Sequence, residues 1–65
     1  MDLETAINIA MSDLPEDYII SVRMETGASW VELGKPEEVI MSFGADTLGE
    51  AVLTALRVAK TRGDK

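Results

Sequence analysis

Thr47-Leu48-Gly49-Glu50-Ala51-Val52-Leu53-Thr54-Ala55-Leu56-Arg57-Val58-Ala59-Lys60 decides how the rest of the chain is read. Leu48, Ala51, Val52, Ala55, Leu56 and Ala59 recur at the three-and-four spacing of one helical face. Thr47 stands just before the stripe, with Glu50 three residues on, the pattern of a capping box. The Thr47 hydroxyl can accept the Glu50 amide, and the Glu50 carboxylate can reach back to the Thr47 amide. Arg57, Lys60 and Arg62 gather at the far end, the negative pole of the helix dipole, and Gly63 is a natural stop. The stripe is rich in small residues, so the helix can lie close against a sheet.

That sheet lies upstream. Tyr18, Ile20, Val22 and Met24 alternate with Ile19, Ser21, Arg23 and Glu25, which predicts a strand over residues 17–25. Gly27 supplies the positive φ of a tight hairpin turn. Trp30-Val31-Glu32-Leu33 predicts a second strand, with Val31 and Leu33 toward the core and Trp30 and Glu32 on the other side. Pro36 lies in the next turn, where a missing amide donor is harmless. Residues 39–45 predict a third strand, with Val39, Met41 and Phe43 on one face and Ile40 and Ser42 on the other. Before all of these, Leu3, Ala6, Ile7 and Ala10 mark a helix over residues 3–12. Asp2 serves as its N-cap, and Leu14-Pro15 ends it.

The expected fold is α+β: a helix, a three-stranded antiparallel meander and a second helix, in one domain over residues 1–65. Two arrangements fit: a two-layer domain with both helices on one sheet face, or an αβα sandwich. If the other face stays uncovered, Ile19, Trp30 and Ile40 form an apolar patch there, and such patches mark contact surfaces.

Composition narrows the chemistry. With 65 residues, no Cys and no His, disulfides, thiolate sites and imidazole chemistry are absent. A domain this small buries only about 60% of its unfolded surface, so a homodimer is a natural staple. The net charge is −6. Residues 1–50 hold every acid but Asp64 against only Arg23 and Lys35, whereas residues 51–65 hold Arg57, Lys60, Arg62 and Lys65. An acidic body repels phosphates and suits a basic surface on another protein. The element order also matches double-stranded-RNA-binding domains. Those present bases at the start of the last helix, where this chain has Asp46, Thr47 and Glu50, so nucleic acid is an unfavoured partner. The basic tail leaves a weak phosphate contact as the alternative. The acidic start Met1-Asp2-Leu3-Glu4 does not resemble a signal peptide, and no apolar run approaches a membrane span. A cytoplasmic, non-membrane protein is expected.

Glu16-Asp17 and Glu37-Glu38 are adjacent carboxylate pairs, but both fall in turns beside Pro15 and Pro36, where charge is ordinarily solvated. Acid–base catalysis needs carboxylates in a shaped pocket with separated pKa values. No glycine-rich phosphate loop and no calcium-loop spacing occurs. No catalytic residue, cofactor or metal is expected. Arg62-Gly63-Asp64 spells an integrin-type tripeptide, which chance explains. Tyr18 and Trp30 are aromatic residues with polar handles, anchors if exposed and core if buried. The candidate protein-binding set is Tyr18, Trp30, Glu32, Glu37, Glu38 and Ile40.

The segment Ser42 to Leu56, together with Leu3-Glu4-Thr5-Ala6-Ile7, resembles small phage-encoded proteins of the ABA-sandwich type. Gly44-Ala45-Asp46-Thr47-Leu48-Gly49-Glu50-Ala51 is similar to the Gly-Asp-Thr-Leu-x-Glu-Ala motif of HicB-type antitoxins, with Ala45 inserted and the antitoxin's proline-glycine-cysteine segment missing. The first resemblance implies a non-enzymatic accessory protein that blocks a host factor, such as an anti-CRISPR or other anti-defence inhibitor. The second implies a homodimeric regulatory module, joined through the open sheet face or the Leu53 and Val58 flanks of the last helix.

Overall fold

Hydrophobic alternation and helical periodicity produce five elements in a computed structural model that describes residues 2–63. They are α1 (Leu3–Asp13), β1 (Ile19–Glu25), β2 (Ala28–Lys35), β3 (Glu38–Phe43) and α2 (Leu48–Gly63). Asp64 and Lys65, and with them the end of the Arg-Gly-Asp tripeptide and the last base of the tail, lie outside the described residues.

Local chemistry sets the boundaries. The Asp2 carboxylate accepts the Thr5 amide at 2.9 Å and starts α1. Hydrogen bonding to Thr5 holds that carboxyl below its usual range. Leu14, restricted by Pro15, leaves the helical region and closes the helix through its amide to the Ala10 carbonyl. The chain then turns between Pro15 and Tyr18, with Asp17 at a φ of 75°, a conformation that aspartate tolerates better than most residues. That turn makes β1 start at Ile19, two residues later than the alternation predicts. At α2, Thr47 Oγ1 accepts the Glu50 amide at 3.2 Å. The reciprocal bond of the capping box is not formed among the described residues. The Glu50 main-chain carbonyl accepts the Thr54 hydroxyl at 2.9 Å.

The strands form a meander in the order β1-β2-β3, antiparallel throughout. The two-residue turn at Thr26-Gly27, with Gly27 at a φ of 84°, pairs Glu25 with Ala28 and so places Arg23 opposite Trp30. Between β2 and β3 the register slips: Leu33 pairs with Met41 but Gly34 pairs with Val39, leaving Ile40 as the extra residue of a β-bulge.

Both helices lie on one face, so the domain has two layers and is not a sandwich. α2 crosses the sheet over β2, and α1 leans on α2 without closely approaching any strand. The buried core consists of Val31 and Leu33 from β2, Ala51, Val52, Ala55, Leu56 and Ala59 from α2, and Ala6 and Ala10 from α1. Small side chains on the facing helices let their axes come close. Leu53 and Val58 are partly buried and pack against this core. Ile20, Val22 and Phe43 extend it along the neighbouring strands.

Candidate binding face

The alternation that buries Val31 and Leu33 turns Trp30, Glu32 and Gly34 to the opposite face of β2. Register aligns Ile19, Ser21 and Arg23 of β1 beside them, and Ser42 of β3 beside Glu32. The bulge brings Val39 opposite Gly34, so Val39 leaves the face of Met41 and Phe43 to which strict alternation assigns it. No helix covers this side. Ile19 and Val39 remain 44% and 59% exposed. Together with Ser21, Glu32 and Gly34 they line a shallow depression of about 130 Å³.

One cluster orders the centre. Trp30 Nε1 donates to Glu32 Oε2 at 3.0 Å, and Arg23 Nε donates to Glu32 Oε1 at 3.3 Å. Arg23 lies directly across from Trp30 and diagonal to Glu32, within reach of a long side chain. Both carboxylate oxygens are thus engaged. The Trp30 hydrogen bond, and after it the Arg23 charge, hold the Glu32 carboxyl below the usual glutamate range, although partial burial pushes the other way. The Glu32 side chain is only 19% exposed. The indole is held at its polar end and half-buried, yet it is not part of the helix-side core.

The other candidates divide. Glu37 lies in the β2–β3 turn and Glu38 at the start of β3, paired with Lys35. Because Ile19 pairs with Gly34, the Glu16-Asp17 turn and the Glu37-Glu38 turn lie toward the same end of the sheet. Ile40 is half-buried at the bulge and outside the core cluster. Tyr18 stands apart from the rest: it packs against the helix-side core, with Lys35 Nζ 5.4 Å from its ring centroid. Arg23 and Val39 belong to the face but escaped the sequence reading. Counting back from the Gly27 turn finds Arg23 opposite Trp30, whereas Val39 depends on the bulge.

Among the described residues, no three carboxylates converge to hold a metal ion. Lys60 reaches Asp13 at 3.9 Å, tying one basic residue of the tail to the end of α1. No helix among the described residues is long and apolar enough to cross a membrane. Compared with protein-family models, curated proteins and solved structures, the chain finds no match.

Proposed function

We propose that this chain is a non-enzymatic binding protein that engages a basic surface of another protein through its open sheet face and acidic hairpin end. The observation that carries the reading is Trp30, fixed by Glu32 on the middle strand of a sheet face that no helix covers. An aromatic ring already immobilised loses little freedom on docking, and such rings are the usual anchors of protein interfaces. Ile19 and Val39, both opposite Gly34, add exposed apolar area farther along the same face. Glu16, Asp17, Glu37 and Glu38 at one end of the sheet favour a partner rich in Lys and Arg. In the form that the phage resemblance carries, the partner is a host defence protein and binding inhibits it.

The test places a photo-crosslinking residue at Ser21, on the open face, or at Arg57, on the outer side of α2. The protein captured from Ser21 is then purified and its binding measured directly. Trp30→Ala, with its fold verified by circular dichroism, is expected to weaken binding by about 2 kcal/mol or more, roughly thirtyfold. A captured partner bound equally well by Trp30→Ala, or one captured only from Arg57, would overturn the reading.

A further inference from the structure

The two edges of the sheet are unlike. β3 has six residues, a bulge at Ile40, and Pro36 and Glu37 at its approach, all features that discourage strand addition. β1 has seven residues in unbroken register, with neither Pro nor Gly, and no described segment pairs with its outer edge. Its outward amides and carbonyls are therefore a free template.

The helix side of this edge is apolar as well. Ile20 and Val22 of β1 face Ile7, Met11 and Leu14 of α1 across a crevice of about 200 Å³ floored by Val52. α1 leans on α2 and not on β1, which leaves the crevice open. Met11 lines it at 74% exposure, and Met24, the next residue of β1 on the Ile20–Val22 face, is 71% exposed. They are the two most exposed large apolar residues described.

We propose that a second copy of this chain occupies the edge: two β1 strands pair antiparallel about a two-fold axis at Val22, forming one six-stranded sheet. The charges on β1 fit this pairing. With Val22 opposite its own mate, Ile20 meets Met24 of the second copy and Met24 meets Ile20, so the seam is apolar on the helix side. On the open side Ser21 meets Arg23 and Ile19 meets Glu25, so no like charges stand directly opposite, and the two Arg23 side chains, diagonal across the axis, are each paired with Glu32 of their own chain. The acids Glu16 and Asp17 lie in the turn before β1, outside the paired residues. The two α1 helices then close over the seam, covering Met11 and Met24. The pairing is isologous and closes on itself. It also supplies the burial that a core with only three large, fully buried side chains lacks. The dimer carries two Trp30–Glu32–Arg23 clusters on one continuous face, so a partner of the proposed kind meets a bivalent surface.

Sedimentation equilibrium of the full chain is expected to give twice the 7.1 kDa chain mass, dissociating on dilution. Met24→Lys sets an unpaired ammonium against Ile20 of the second copy and is expected to weaken dimerisation roughly a hundredfold, with circular dichroism unchanged. Val39→Lys, on the opposite edge strand, is expected to leave it intact. Amide exchange supplies a second readout: protection of β1 amides should rise with protein concentration, and that of β3 amides should not. A wild-type chain that is monomeric at every concentration would overturn the proposal, leaving the edge to a strand of some other protein. A dimer equally stable in Met24→Lys, or one lost in Val39→Lys, would also overturn it.

Discussion

Leu33→Ala is expected to lower the unfolding free energy by about 2–5 kcal/mol, the range for truncating a fully buried leucine. Leu33 is 0% exposed on the central strand, under α2, with Ile20 and Met41 at its flanks. Its removal leaves a cavity walled by backbone on one side and by the small-residue stripe of α2 on the other. Alanines have no longer rotamer with which to fill the space. A domain of this size has a total stability of roughly 3–10 kcal/mol, so the variant loses much or all of it. Urea denaturation followed by far-ultraviolet circular dichroism reads the change. Ile19→Ala, on the open face of the neighbouring strand, is expected to cost far less, because Ile19 is already 44% exposed. Equal losses would mean that the sheet buries the wrong face.

Gly34→Ala is expected to destabilise by about 1–3 kcal/mol or more, although it adds a single methyl group. A Cβ at Gly34 would overlap the Glu38 carbonyl oxygen and lie 2.9 Å from Val39 Cα. Both obstacles are backbone, so no side-chain rotation relieves them. The β2–β3 ladder has to open at the bulge, which displaces the hairpin end that carries Glu37 and Glu38. Faster amide exchange along β3, with α1 unaffected before global unfolding, is the signature that locates the damage. Gly44→Ala provides the contrast. A Cβ there meets nothing within 4 Å and the φ is not positive, so the substitution is expected to be nearly silent. If both glycines tolerate alanine alike, the bulge register is wrong.

Much of this architecture can be read from the residues, for identifiable reasons. The stripe from Leu48 to Ala59 is periodic over about three turns and capped by Thr47, and nothing local competes with it. Gly27 fixes the first hairpin, and the alternation on both sides fixes which face is buried. The remainder depends on contacts between elements. The apolar alternation of Val39, Met41 and Phe43 is regular, yet Pro36-Glu37 and the glycine at position 34 let β3 slip by one residue and move Val39 to the other face. Tyr18 continues the alternation of β1 by one step, so it follows the core and not Trp30. That both helices share one face follows from α1 packing on α2, a choice to which helical periodicity alone is blind.

The Trp30 indole Nε1–H resonance reads the open face directly, because this is the only tryptophan in the chain. Glu32 has a depressed folded-state pKa, held down first by Trp30 and then by Arg23. Its contribution to stability is therefore complete above the unfolded value and is lost as pH falls through the folded one. The indole resonance should hold steady from neutral pH downward and move only below the ordinary glutamate value of 4.5, as protonation weakens the hydrogen bond that fixes the ring. Glu32→Gln should abolish that transition. An indole that titrates at or above the ordinary value, or shows no dependence on Glu32, would contradict a Trp30 anchored on an uncovered sheet.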